Sequence, residues 1–140
     1  MTTTDSPSGW AKTAVLVARL VFAALFIMAV SFKLVDPNAT AGQIAAAGFP
    51  LSGVLVWCAI VFELAVVAGL LTGAYFSEVA LLAAAYVIFL GFGFHGPKLW
   101  AANQAEFGFF IDHFTFAAGL LFAAAYGPGV LAMKRGWLAR

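Results

Sequence analysis

Four long apolar stretches alternate with short polar segments along the chain. Each stretch approaches the roughly 20 apolar residues that a helix needs to cross a bilayer core of about 30 Å. The stretches cover about residues 13–32, 52–72, 77–94 and 109–126. Turn-forming groups separate them, at Asp36-Pro37-Asn38, Gly48-Phe49-Pro50, Gly73, Gly96-Pro97 and Gly127-Pro128-Gly129. This pattern predicts an all-α membrane protein that folds as a bundle of four transmembrane helices.

The segment between the first two stretches predicts one further, shorter helix. Asp36 can cap its start with Pro37 at the first helical position, and Gly48 followed by Pro50 would end it. Its weak amphipathic pattern favours a position at the outer membrane interface. The chain then divides into a polar N-terminal tail, a four-helix transmembrane domain and a basic C-terminal tail, at residues 1–12, 13–126 and 127–140.

The composition excludes several classes of protein. Hydrophobic residues make up 64% of the chain and charged residues 9%, whereas a soluble domain has about a quarter charged residues. A net charge of +1 without a basic, aromatic-rich surface argues against nucleic acid as a partner. Cys58 is the single cysteine, which excludes an internal disulfide and a CxxC redox pair.

The first stretch favours a retained helix over a cleaved signal peptide. Its polar start holds one lysine and one aspartate, and Arg19 interrupts the apolar run, whereas a signal peptide has a basic start and an uninterrupted core.

Basic residues in short loops predict the orientation in the membrane. With both termini on one side, that side holds Lys12, Lys134, Arg135 and Arg140, while the other holds Lys33 and Lys98. We therefore expect a bacterial inner-membrane protein with both termini in the cytoplasm. The loops at about residues 36–50 and 95–108 would then face the periplasm.

Small residues recur every four positions on the second stretch, at Ala65, Gly69 and Gly73. Transmembrane helices associate through small residues that let their backbones approach closely. These positions are predicted to pack helices together, either within the bundle or against another protein. A ligand channel lined by Gly69 and Gly73 is the alternative.

Arg19 and Glu63 are charges within apolar stretches, where each costs about 2.5–3.5 kcal/mol at mid-helix. At about 1.5 Å of rise per residue, their depths differ by only about 6 Å. We therefore predict an ion pair between Arg19 and Glu63 on adjacent antiparallel helices. Two interpretations are open: the pair only stabilises the bundle and its topology, or Glu63 exchanges a proton.

A layer of polar residues at the outer ends of the helices is the second candidate site. His95 ends the third stretch, and Asp112 and His113 begin the fourth, so the three are expected at similar depth. Histidine titrates near neutral pH and can donate a proton. Asp112 and His113 point about 100° apart on a helix, so Asp112 can instead complement the positive end of its helix. Lys33 either snorkels to the interface or meets acidic groups of this layer.

Several short motifs resemble the DoxX family of small four-helix membrane proteins. They are Ala18-Arg19-Leu20, Ser31-Phe32-Lys33-Leu34, Ala46-Ala47-Gly48-Phe49-Pro50, Phe62-Glu63-Leu64, Gly69-Leu70-Leu71-Thr72-Gly73 and His95. The resemblance covers about residues 18–96, with Ala29-Val30-Ser31 where the family commonly has a glycine before the lysine. Four residues match its recurrent polar positions: Arg19, Lys33, Glu63 and His95.

This resemblance implies a role in redox chemistry. One branch of the family resembles the small subunit of a thiosulfate:quinone oxidoreductase, and other members are described as partners of redox or oxidative-stress proteins. The chain is expected to be at most a subunit of a quinone-linked oxidoreductase rather than an enzyme by itself. Expected partners are the lipid bilayer and another membrane or periplasmic redox protein, or a second copy of the chain.

The residues suggest how such a subunit would contact the quinone pool. Glu63, His95 and Asp112 are the candidate proton donors, and Lys33 and His113 are candidate contacts for a bound quinone. Quinone is the one candidate cofactor, and no metal site is predicted. The alternatives are a non-catalytic scaffold for a partner protein and an oligomeric small-molecule transporter.

Overall fold

The computed structural model describes residues 8–133 and 135–138. These residues form six helices: α1 (Gly9–Val35), α2 (Pro37–Ala46), α3 (Ser52–Thr72), α4 (Phe76–His95), α5 (Pro97–Trp100) and α6 (Gln104–Tyr126). Helices α1, α3, α4 and α6 are long and apolar enough to cross a membrane. The predicted all-helical fold with four transmembrane helices is therefore confirmed.

The helix ends follow from local sequence chemistry. The Asp36 carboxylate accepts a hydrogen bond from the Ala39 N–H at 2.9 Å, and Pro37 occupies the first turn of α2, as predicted. Helix α3 ends at Gly73, whose φ of 78° lies in the left-handed region that favours glycine. Helix α6 begins five residues before the predicted span, because the Asn103 side chain caps it by accepting from the Ala105 N–H.

The four long helices run alternately up and down. We call the end of the bundle that carries residues 8, 127–133 and 135–138 the terminal end, and the end that carries α2 and α5 the loop end. The C-terminal segment, residues 127–133 and 135–138, folds back over the terminal end, where the Met133 N–H donates to the Thr72 carbonyl at 2.8 Å. Lys134, Arg140 and residues 1–7, part of the predicted basic and polar tails, lie outside the described residues.

The core contains side chains from all four long helices. Buried alanines and larger apolar residues interlock there: Ala23, Phe26, Val66, Leu70, Phe76, Ala83, Ala84, Val87, Ala117 and Leu120. A smaller cluster at the loop end joins Ile44 of α2 to Val56 and Ile60 of α3. Many large apolar side chains remain exposed on the outside of the bundle, as a lipid-facing surface requires.

Two members of the small-residue ridge on α3 pack within the bundle. A Cβ added at Gly69 would lie 2.6 Å from the Val79 side chain, and one at Gly73 would collide with Ala132 of the C-terminal segment. Gly69 therefore allows close contact of α3 with α4. Ala65, in contrast, is exposed.

Candidate functional site

Arg19 is buried on α1, with 4% of its surface exposed. Its guanidinium donates four hydrogen bonds to backbone carbonyls at the terminal end. The acceptors are the carbonyls of Leu70 at 3.1 Å, Leu71 at 2.9 Å, Pro128 at 2.8 Å and Leu131 at 2.7 Å. The last four carbonyls of a helix have no partner within that helix. Arg19 thus donates hydrogen bonds to carbonyls at the end of α3 that lack a partner in the helix. It also fastens the C-terminal segment to α3.

The predicted ion pair between Arg19 and Glu63 does not form, and that prediction is wrong. Glu63 pairs instead with Lys33, whose Nζ lies 3.0 Å from Oε1. The reason is the tilt of side chains toward the N-terminus of their own helix. On α1 this tilt carries Arg19 toward the terminal end, away from Glu63, and carries Lys33 toward the bundle centre. On the antiparallel α3, it carries Glu63 toward Lys33.

Lys33 and Tyr86 contact the buried carboxylate of Glu63, and we call these three residues the Glu63 triad. The Tyr86 hydroxyl donates to Oε1 of Glu63 at 2.8 Å, so both partners use the same carboxylate oxygen. Glu63 is 1% exposed, and its Oε2 has no hydrogen-bond partner among the described residues. The Lys33 side chain is 19% exposed and connects the triad toward the loop end.

The triad unites three groups that can hold a proton: a carboxylate, an ammonium and a phenol. The unpartnered Oε2 leaves one acceptor position for a hydrogen-bond donor.

A second polar group lies at the loop end between α4 and α6. The Nδ1 atom of His95 lies 2.6 Å from Oε2 of Glu106. The imidazole ring of His113 stands 5.0 Å from that of His95, and its Nδ1 lies 2.7 Å from the Phe109 carbonyl oxygen. Gly91 makes room for this arrangement, because a Cβ there would lie 3.1 Å from Cβ of His113.

The predicted proton donors do not form one cluster. Glu63 contacts Lys33 and Tyr86, whereas His95 contacts Glu106. Asp112 is exposed and forms no side-chain hydrogen bond or ion pair within the described residues. The layer expected to unite His95, Asp112 and His113 therefore brings the two histidines together and leaves Asp112 apart.

Sequence reasoning missed Tyr86 and Glu106. The apolar pattern predicts a fourth span from residue 109 and so leaves Glu106 in the preceding loop, whereas α6 begins at Gln104 and carries Glu106 in its first turn. Tyr86 offered a usable signal, since a phenol in the middle of an apolar span needs a hydrogen-bond partner.

Metal ligation finds no support in the described residues. Among residues 8–133 and 135–138, no group of three or more histidine, cysteine, aspartate or glutamate side chains is arranged to hold a metal ion.

Comparison with known proteins identifies the family. The DoxX family model matches residues 14–96, which is more than half of the chain and extends from α1 to the end of α4. The match includes Arg19, the whole Glu63 triad and His95, whereas Glu106, His113 and α6 lie beyond it. No match was found among curated proteins or among solved structures. From the family match over these residues, the chain belongs to the DoxX family.

Proposed function

We propose that this DoxX-family protein is a membrane subunit of a redox complex and that Glu63 exchanges a proton with the quinone pool. The observation that carries the proposal is the Glu63 triad. A buried carboxylate with two donors on one oxygen and none on the other is incompletely satisfied. Structures rarely retain such a group without a role.

The chemistry of quinones fits this group. A bound quinone accepts two electrons and two protons on full reduction, and the electrons would come from a partner redox protein. In a bilayer core without water, side chains have to deliver the protons. Glu63 would hold a proton at Oε2, Tyr86 would position Oε1, and Lys33 would keep the carboxylate charged after the proton has left.

His95 and Glu106 would serve the same chemistry from the loop end. Their partly exposed side chains lie at the last residue of α4 and in the first turn of α6. His113 stands beside them as a candidate quinone contact, in addition to Lys33. With both termini in the cytoplasm of a bacterial cell, this group faces the periplasm and takes up protons there.

Purification in mild detergent from the native membrane tests the proposal. Mass spectrometry of the wild type should find a bound quinone and a stoichiometric redox protein. Glu63→Gln keeps the shape of the side chain but removes the exchangeable proton, so quinone-dependent electron transfer by the complex should be lost. Asp112→Asn is the matched control and should retain it. A pure protein without quinone or partner, together with a Glu63→Gln variant of normal activity, would contradict the proposal.

The alternative function as a scaffold for a partner protein is less well supported, because most of the small-residue ridge on α3 packs within the chain. Gly69 and Gly73 pack against Val79 and Ala132 of the same chain. Of the three ridge residues, only Ala65 is exposed.

A further inference from the structure

A groove opens between α1 and α6 in the half of the bundle next to the terminal end. Its volume is ≈ 290 Å³, and its walls carry small residues one turn apart on each helix: Ala14 and Ala18 on α1, Gly119 and Ala123 on α6. Small residues at such spacing normally allow two helices to touch. Here the helices leave a gap instead.

Phe22 explains the gap. Its ring lies 5.1 Å from the ring of Phe116, and a Cβ added at Gly119 would come within 2.8 Å of its Cζ atom. The ring thus stands between α1 and α6 and acts as a spacer. The small side chains on either side of the groove cannot fill the space that the spacer leaves.

The interior of the groove suits hydrocarbon. Arg19 contributes to its wall, but the guanidinium is committed to the carbonyls of Leu70, Leu71, Pro128 and Leu131. The groove therefore presents the alkyl stem of Arg19 beside alanine, glycine and phenylalanine. A polar ring or headgroup would lose hydrogen bonds there, whereas an extended alkyl chain would lose none.

The charge at the terminal end of the groove is positive. Lys12 lies seven residues before Arg19 and three before Val15, another groove residue, so the three share one face of α1. Lys12 is partly exposed, and Arg19 contacts carbonyls but, among the described residues, no carboxylate. An alkyl chain in the groove would place a negatively charged headgroup within reach of Lys12.

We propose that this groove binds one acyl chain of an anionic phospholipid whose phosphate pairs with Lys12. The site is independent of the Glu63 triad and of any quinone. The lipid fills the space that the Phe22 spacer creates and places a negative charge next to Lys12.

The test reconstitutes the full chain in nanodiscs containing equal amounts of phosphatidylglycerol and phosphatidylcholine, followed by native mass spectrometry. Wild-type protein should retain one phosphatidylglycerol. Ala18→Leu fills the groove and should release it, whereas Ala24→Leu, an exposed position of α1 outside the groove, should not. Thermal unfolding of both variants checks that they are folded.

A second variant tests the headgroup without touching the groove. Lys12→Gln should lower the preference for phosphatidylglycerol over phosphatidylcholine about fivefold, as expected for one cation near a membrane surface, and Lys12→Arg should restore it. Equal retention of the two lipids by the wild type, retention unchanged in Ala18→Leu, or a quinone displaced by Ala18→Leu would each overturn the proposal.

Discussion

The two cations that α1 places within the bundle, the buried Arg19 and the partly exposed Lys33, show two different ways to keep a positive charge inside a membrane protein. Arg19 and Lys33 lie on nearly the same face of one helix, fourteen residues apart. Arg19 is surrounded by four neutral carbonyls at the terminal end. Lys33 meets a carboxylate toward the bundle centre.

The difference between them follows from the shapes of the two side chains. Arginine presents five N–H donors in a planar fork, which can join several carbonyls from separate segments. Lysine is a compact ammonium that exchanges its proton more readily. Backbone carbonyls cannot take a proton from Arg19 at ordinary pH, whereas the partner of Lys33 is a carboxylate, which can accept hydrogen bonds and a proton. The Arg19 contacts therefore fasten the structure, and the Lys33 contact is the one on which the proposed proton exchange depends.

Arg19→Met should have the largest effect on stability. It leaves four carbonyls of α3 and the C-terminal segment without their donor, at an expected cost of about 3–5 kcal/mol in the free energy of unfolding. Denaturant titration in detergent micelles measures this loss, and limited proteolysis should cut the C-terminal segment faster. Arg19→Lys should recover less than half of the loss, because an ammonium cannot reach all four acceptors. Full stability of Arg19→Met would show that the carbonyls find other partners.

Lys33→Met should have the next largest effect. It leaves Glu63 buried without a counter-charge, which costs about 3 kcal/mol and favours uptake of a proton by the carboxyl group. Dicyclohexylcarbodiimide reacts with protonated carboxyl groups in membranes, so labelling of Glu63, measured by peptide mass spectrometry, should increase. The double variant Lys33→Met/Glu63→Leu removes both charges and should recover most of the lost stability. Labelling equal to that of the wild type would mean that Lys33 does not control the charge of Glu63.

Tyr86→Phe should have a smaller effect. It removes one hydrogen bond to a charged group, worth about 1.5–3 kcal/mol, while Lys33 stays paired with Glu63. The melting temperature of the purified protein measures the change. Phe89→Leu, an exposed position on the same helix, is the control and should leave it nearly unchanged. If both variants melt alike, the hydroxyl contributes nothing to the triad.

The smallest effects are expected at the loop end, where two acidic residues of α6 can be compared. Glu106→Gln weakens the contact with His95 and should cost about 1 kcal/mol. Asp112→Asn touches no described partner and should stay within about 0.5 kcal/mol of the wild type. Measuring the free energy of unfolding of both variants in the same detergent shows which of them loses more stability. A larger loss at Asp112 would restore it as a functional candidate.

The fold could be predicted from sequence because it depends on simple and local signals. Apolar length sets the four spans, and Asp36, Gly73 and Gly127 stand where helices begin or end. These signals depend little on which helices become neighbours. The sequence also predicts the importance of three charged residues, since a charge in an apolar span requires a partner. These residues are Arg19, Lys33 and Glu63.

The partners themselves could not be predicted from depth alone. Counting residues places Arg19 and Glu63 close together, but it ignores the direction in which each side chain leans. It also ignores residues 127–133, whose return to the terminal end offers Arg19 the carbonyls of Pro128 and Leu131. Tyr86 became a partner of Glu63 only through the packing of α3 on α4.

The contacts of Arg19 also have a consequence for the synthesis of this protein, because Arg19 and its acceptors are made at different times. Arg19 enters the membrane with the first helix, but two of its acceptors lie 109 and 112 residues further along the chain. During synthesis its charge has to be accommodated by the insertion machinery or by lipid headgroups until α6 has been inserted. A ribosome that stops after α4 would release a chain in which Arg19 still lacks half of its acceptors. Segments synthesised more than a hundred residues after Arg19 thus complete its surroundings.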